Sequence, residues 1–485
     1  MVKILTLYSN MTLQVKAALW FTVCSVFQKI ISFVTIPIFT RVLTTEEYGV
    51  YSLYLSWLQL LSIITSLYLY YGIFNNAMIK FADRRDEYIS SMQGLVVTIT
   101  TVFLATVFIL PATWERMIGL STSIIVMMFF ELYVTPAFQF WSGKKRFDYK
   151  YKELVGVTLT LSLLNPIIGL LFVLYAEDKG TARIFAAVLA DIIICGLLWF
   201  LQFKRGKRFF VKEFWLYGLS LAIPLLPHYL SSVILNQGDR IMIDHMVGKS
   251  EVAFYSIAYS IGMMAQIFTN AILSSFTPWL YVKIKDKKDA EIRNIINILL
   301  LVVGLIIICI MMTGPELISI FGSPVYEDAK YVIPPVVASV FFIFLYNLLA
   351  TFQFYYETTH FLMIASVFAA LINIGLNYVF IQRFGYYAAG YTTLICYILY
   401  SFGHYKVSSR VINLKNDNGK YFDIKTILWL SAILIMMCIV SNFLFKSLIV
   451  RTLIFLVVAM TGFLKRKYLY NILRGLKNKG EQDAL

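Results

Sequence analysis

Three ionisable side chains stand inside otherwise apolar stretches: Lys29 in AALWFTVCSVFQKIISFVTIPIFT, Glu131 in SIIVMMFFELYVTPAF and Asp191 in FAAVLADIIICGLLWF. A charge at the centre of a membrane helix costs about 3 kcal/mol on insertion scales, so each needs a partner, water or a ligand. Counted from the cytoplasmic helix ends at about 1.5 Å per residue, Lys29 lies about 18 Å deep, Glu131 about 15 Å and Asp191 about 18 Å. These depths put the three at one level, and we expect them to face a shared water-filled cavity. In such a cavity a cation holds an anionic group, a pyrophosphate or a sugar acid, while carboxylates bind a proton or a sodium ion. A structural ion pair between Lys29 and either carboxylate is the alternative, and charge swaps separate the two.

Arg41 and Arg240 stand where two apolar stretches end, in FTRVL and NQGDRIM. An arginine there can snorkel to headgroups, yet its planar guanidinium also suits phosphate better than an ammonium does. We expect both to contact substrate or to close a gate on the outer side, with Asp239 neutralising Arg240. His228 lies in IPLLPHYL between two prolines and the polar Asn236 and Gln237. Proline frees backbone carbonyls inside a helix, and broken helices are where transporters build ion sites. His228 therefore joins Glu131 and Asp191 as an ion-coupling candidate, with simple packing as its alternative.

The elements that position these residues are membrane helices. The chain has 485 residues, 59% of them hydrophobic and only 14% charged, with mean hydropathy +0.75. Soluble domains carry about 25% charged residues, so this is a polytopic membrane protein. Fourteen stretches approach the length of about 20 residues that a spanning helix needs. They fall near 17–40, 49–72, 91–112, 118–141, 154–175, 182–203, 214–237, 253–277, 295–314, 333–355, 361–382, 386–405, 427–445 and 449–464. With the N-terminus in the cytoplasm, 31 of the 42 Lys and Arg residues fall on that side and 10 outside, the last being Lys29. This bias follows the positive-inside rule and places both termini in the cytoplasm. It also accounts for most of the net charge of +15 through orientation and anionic lipid, which leaves no call for nucleic acid.

Arg41 followed by Tyr48, Gly49 and Tyr51 recurs about 200 residues later as Arg240 followed by Phe254, Tyr255 and Ser256. Two similar halves around a central site are common in transporters. The expected organisation is all-α, with about fourteen transmembrane helices in two pseudo-symmetric six-helix lobes plus two C-terminal helices. The lobes are residues 1–208 and 209–410. Residues 411–485 hold a polar linker centred on NLKNDNGKYFD, two trailing helices and a basic tail.

The run Pro37, Thr40, Arg41, Leu43, Tyr48, Gly49, Tyr51 resembles the first-helix signature of bacterial polysaccharide exporters and O-antigen flippases of the multidrug/oligosaccharidyl-lipid/polysaccharide (MOP) superfamily. Gln237, Asp239 and Arg240 resemble the polar end of that family's helix 7. Tyr255, Ser256 and Ala258 resemble the start of its helix 8, and Phe384, Gly385, Tyr386, Ala389, Gly390 the turn between its helices 11 and 12. The resemblance covers roughly residues 12 to 410. It implies translocation of undecaprenyl-pyrophosphate-linked oligosaccharide across the bacterial inner membrane, beside polysaccharide polymerase machinery. The two trailing helices depart from the twelve-helix form and are shared with related lipid II flippases.

Signatures of catalysis are largely missing. Gly248, Lys249, Ser250 look like the end of a phosphate loop, but Ile243 stands where its first glycine belongs. The four histidines and the cysteines Cys24, Cys195, Cys309, Cys396 and Cys438 are scattered, which fits neither a metal site nor a disulfide framework. The first span is too long for a signal-peptide core. We expect no cofactor and no enzymatic activity, and a proton or sodium ion as coupling ion. The rival readings are a cation-coupled drug antiporter, against which Lys29 counts, and a membrane glycosyltransferase, polymerase or ligase, against which the short outer turns count.

Overall fold

The computed structural model describes residues 11–358, 360–415 and 420–464, so the expected basic tail lies outside the described residues. Among these residues the secondary structure is helical throughout. Two compact units divide the chain, Met1–Ala253 and Phe254–Leu485.

The first unit contains α1 (Leu13–Val42), α2 (Thr45–Ser66), the short α3 (Gly72–Lys80), α4 (Arg85–Ile109), the short α5 (Pro111–Ile118), α6 (Thr122–Phe147), α7 (Tyr151–Tyr175), α8 (Lys179–Gly206) and α9 (Lys212–Met246). α8 packs against α2, α4, α6 and α7, so it is the axis of the unit. α1 leans mainly on α7 and stays largely exposed. The turn into α2 is closed by a capping box: the Thr44 hydroxyl accepts from the Glu47 amide, and the Glu47 carboxylate accepts from the Thr44 amide. Such reciprocal capping satisfies two orphan donors at a helix start. The other Glu47 oxygen accepts from the Lys179 amide, tying the start of α8 to that of α2.

The second unit follows with α10 (Lys249–Gly262, which begins in the first unit), α11 (Met264–Lys285), α12 (Asp289–Met312), the short α13 (Gly314–Phe321), α14 (Ile333–Tyr355), α15 (His360–Phe384), α16 (Tyr387–Lys415), α17 (Ile424–Leu444) and α18 (Leu448–Leu464). Its axis is α14, which packs against α11, α12, α16 and α17 and is buried along nearly its whole length. The trailing helices α17 and α18 pack on α12, and Arg451 of α18 donates to Met312 O at 3.0 Å and Glu316 Oε2 at 2.6 Å.

Among the described residues eleven helices are long and apolar enough to cross a membrane. The other three expected spans correspond to α2, α16 and α18. α2 and α16 are 22 and 29 residues long but more polar, and α18 contributes only a shorter apolar helix. The polarity has a physical reason. α2 turns Ser52, Ser56, Thr65 and Ser66 into protein, and α16 does the same with Thr392, Thr393, Ser401, His404 and Ser408. Side chains facing other helices can bond to them, so such helices need not be apolar throughout. α16 is helical to Lys415, and residues 416–419 lie outside the described residues.

One turn recurs in the two units. After α6, Lys145 pairs with Glu153 and lies over the Trp141 ring, with Tyr149 at φ +55° between them. After α11, Lys283 Nζ pairs with Glu291 at 2.6 Å and lies over the Trp279 ring, with Lys287 at φ +56°. The spacing W-x3-K-x3-X-x3-E is the same in both, an internal likeness additional to the one around the two arginines.

Candidate functional site

The polar residues of the first unit gather along α8. Glu131 of α6 is buried, its carboxyl is hydrogen-bonded to that of Asp191 on α8, and it accepts from the Tyr54 hydroxyl of α2 at 2.6 Å. Two carboxyls in contact cannot both be ionised without a cation or proton between them, since like charges at that distance repel strongly. Arg183 stands two helical turns before Asp191 on α8 and makes no ion pair with either carboxyl. Arg183 Nη2 donates to Tyr51 OH at 2.9 Å and to Asn165 Oδ1 of α7 at 2.8 Å. Its guanidinium carbon lies 4.5 Å from the centre of the Phe39 ring and 4.4 Å from that of Tyr51. Cation–π contact of this kind stabilises a desolvated guanidinium.

Lys29 is placed differently. It stands on an exposed face of α1 and, among the described residues, makes no ion pair, while its neighbour Gln28 donates to Ser162 of α7. The structure thus brings Glu131 and Asp191 together, leaves Lys29 on an exposed face of α1, and turns Arg183, on the helix of Asp191, inward onto Tyr51, Asn165 and Phe39. Sequence reasoning passed over Arg183 because it falls within a residue or two of the expected start of a span, where a cation ordinarily reaches the headgroups. The signal available was its position eight residues before Asp191 on one helix, which puts both on nearly the same face.

The two arginines of the repeat share one local geometry. Arg41 Nη1 donates to Pro37 O at 2.8 Å and Arg240 Nη1 to Asn236 O at 2.9 Å, each one turn back. Their surroundings differ: Arg41 is exposed and Arg240 is buried beside the fully buried Asp239. Arg240 also donates to Gln237 Oε1 at 3.1 Å. Gln237 in turn accepts from Ser56 at 3.1 Å and donates to Gln59 at 2.8 Å, so this polar end of α9 is bonded to α2. His228 is half-buried on α9, and its ring meets that of Tyr229. Tyr229 belongs to an aromatic group with Tyr68 and Tyr71 at ring separations of 4.9 and 5.9 Å. His228 is apart from the carboxyl pair in sequence and lies on a different helix.

The second unit holds two buried polar groups of its own. Asn373 donates to Thr393 at 3.3 Å, Asn377 to Asn373 at 3.2 Å, and Thr392 to Asn377. Gln353 of α14 bridges to His404 Nδ1 at 3.0 Å and Ser408 at 2.8 Å, both on α16. Neutral networks of this kind join helices in a bilayer at modest gain per bond, below about 1 kcal/mol. Among the described residues no group of three or more His, Cys, Asp or Glu side chains forms a metal cluster.

Comparison with known proteins matches the polysaccharide biosynthesis protein family model to residues 15–282 and the MatE family model to residues 224–379. An Lsg locus protein of Haemophilus influenzae is 24% identical over 369 residues, covering 71% of this chain and 86% of the relative. An uncharacterised membrane protein of the same organism is 21% identical over 361 residues, covering 72% and 85%. Among solved structures, the lipid II flippase MurJ in its inward closed conformation aligns at TM-score 0.63 and 14% identity, over 93% of this chain and 99% of MurJ. A multidrug resistance MATE family transporter in its inward-facing conformation aligns at TM-score 0.64 and 12% identity, over 80% and 95%. At these identities the two structures show the fold.

Proposed function

Since the chain belongs to the polysaccharide biosynthesis protein family and is a multi-pass membrane transporter of the MOP superfamily, we propose that it flips undecaprenyl-pyrophosphate-linked oligosaccharide from the inner to the outer leaflet of the bacterial cytoplasmic membrane. The repeat unit belongs to an O-antigen, capsule or exopolysaccharide. The movement is alternating access, with both termini in the cytoplasm. The observation that carries this reading is the ionisable centre of Glu131, Asp191 and Arg183, with Glu131 and Arg183 buried and Asp191 half-buried, inside the unit that the family model covers. Charges at membrane depth are retained where they bind or couple something.

In this reading Lys29, Arg41 and Arg240 meet the pyrophosphate, and Glu131 and Asp191 bind the coupling ion, a proton or sodium. His228, flanked by Pro224 and Pro227 inside α9, assists coupling at a helix that proline leaves open to bending. No nucleotide is used; the work comes from an ion gradient or from the substrate's own gradient.

The test is translocation of undecaprenyl-pyrophosphate-linked oligosaccharide in proteoliposomes under imposed proton and sodium gradients, with Lys29→Ala and Arg41→Ala beside the wild type. Flipping by the wild type, and its loss in variants that insert normally, supports the reading. The MatE match to residues 224–379 favours a second reading, a cation-coupled drug antiporter. Movement of cationic drugs without movement of any lipid-linked sugar selects it.

A further inference from the structure

In the second unit α15 and α16 run antiparallel, since the Phe361 ring meets that of His404 and Asn373 bonds to Thr393. Between them lies an apolar groove of about 300 Å³. Phe361, Ile364 and Phe368 wall it on α15, with Leu399 and Tyr400 on α16, and the small residues Ala365 and Gly403 leave the slot open. The slot is narrow at Gly403, where a Cβ would stand 3.5 Å from the Phe361 ring. Ile364, Phe368 and Leu399 remain 52%, 61% and 48% exposed, so no described part of the chain covers this face.

The lining runs from Phe361 to Ile372 on α15, about 17 Å, and from Cys396 to Gly403 on α16, about 10 Å. A hydrocarbon core is about 30 Å thick, so the groove has the length of one leaflet. It occupies the half of α15 nearest its start, which places it in the leaflet on the Lys415 side of α16.

Cys396, Leu399 and Gly403 follow one another at alternating steps of three and four residues, and the same steps continue to Lys406 and Arg410. Residues so spaced share one helix face. Both cations are exposed and neither enters an ion pair among the described residues; Lys406 Nζ lies 4.6 Å from the centre of the Phe402 ring. Neither α15 nor α16 contains an aspartate or a glutamate. One stripe of α16 therefore passes from an apolar slot into a purely cationic end. Basic residues at a membrane surface attract anionic headgroups.

We propose that the α15–α16 groove is a binding site for one anionic diacyl phospholipid of that leaflet, with an acyl chain in the slot and its phosphate on Lys406 and Arg410. The length of the slot matches one chain of one leaflet, and the charge of the stripe selects the headgroup. A zwitterionic lipid fills the same slot but brings no net negative charge to the two cations.

The measurement is native mass spectrometry of the full-length chain in detergent micelles, titrated separately with dioleoyl phosphatidylglycerol, dioleoyl phosphatidylcholine and undecaprenyl phosphate. The first phosphatidylglycerol binds about 25-fold more tightly than the first phosphatidylcholine, at about fivefold for each surface cation. K406Q and R410Q each weaken phosphatidylglycerol about fivefold and leave phosphatidylcholine unchanged. A365L, which fills the slot, weakens both phospholipids, and this separates the chain from the headgroup. Where A365L does not fold, L399W on the exposed wall takes its place. Equal affinity of the wild type for the two phospholipids overturns the inference, as does unchanged phosphatidylglycerol affinity in K406Q with R410Q or in the slot-filling variant. Tighter binding of undecaprenyl phosphate than of phosphatidylglycerol, with the same loss in the slot-filling variant, gives the groove to a prenyl chain and overturns the phospholipid assignment.

Discussion

Gly49 of α2 lies against the main chain of Lys249: a Cβ on residue 49 would stand 1.8 Å from the Lys249 carbonyl oxygen and 2.6 Å from its carbon. The contact is backbone against backbone, so neither side can give way by rotating a side chain. Beside it Thr45 and Ser250 share a hydrogen bond of 3.1 Å. The glycine of the Tyr48–Gly49 signature is therefore the point where the start of α2 meets the start of α10. G49A is expected to destabilise the protein by about 3 kcal/mol, the upper part of the range for overpacking. Thermal unfolding of the purified variant checks this, and an unchanged midpoint refutes the close approach.

Tyr54 donates a short hydrogen bond to Glu131, and hydrogen bonds to charged groups contribute about 1.5–3 kcal/mol. Y54F keeps the ring and removes the donor. The expected result is at least about a tenfold change in apparent cation affinity, with insertion and expression unchanged, read from transport against sodium concentration and against pH. If both curves overlay those of the wild type, Tyr54 does not tune the pair.

Glu115 on α5 accepts from the Thr122 hydroxyl at 2.6 Å and from its amide at 2.7 Å, closing the start of α6 from a neighbouring helix. These bonds hold its carboxyl below the ordinary 4.5. A depressed value in the folded state means stability that is present above the ordinary carboxylate range and lost as pH falls through the folded value. E115Q should therefore show a shallower fall in unfolding midpoint than the wild type between about pH 5 and pH 3. Parallel acid limbs in the two proteins contradict the cap.

Arg451 ties α18 to the end of α12 and to Glu316 of α13. Removing one partner of a buried pair costs about 3–5 kcal/mol, and the half-exposed Glu316 puts this pair at the low end or below. R451A is expected to raise amide hydrogen exchange in α17 and α18 while α14 and α16 keep their protection. Uniform exchange across the second unit would mean that the trailing helices are held by apolar packing alone.

Much of the architecture was legible in the sequence because a bilayer leaves a chain few options. Backbone groups must be satisfied within each segment, so apolar runs of sufficient length become helices. Eleven of the expected spans meet that criterion directly. The criterion weakens for α2 and α16, whose partners are other helices: Tyr54 and Ser56 bond within protein, as do Thr392 and Ser408. Gly385 at φ +67° and Gly390, whose Cβ would stand 3.0 Å from Pro335, also give physical grounds to a turn recognised by its residues.

Composition and apolar runs were enough to read a bundle of membrane helices with carboxyls inside α6 and α8. The two arginines were also readable as a pair, although only Arg41 ends its helix, since α9 runs about two turns beyond Arg240 to Met246. Where Lys29 and Arg183 stand relative to the carboxyls follows from tertiary packing alone. Depth along a helix can be counted from sequence, but azimuth relative to a neighbour cannot, because it depends on how each helix is rotated in its packing. Lys29, at the expected depth, points off the exposed face of α1, whereas Arg183 turns inward between Phe39, Tyr51 and Asn165. One coordinate comes from the rise per residue, and the other from side-chain packing across helices far apart in the chain.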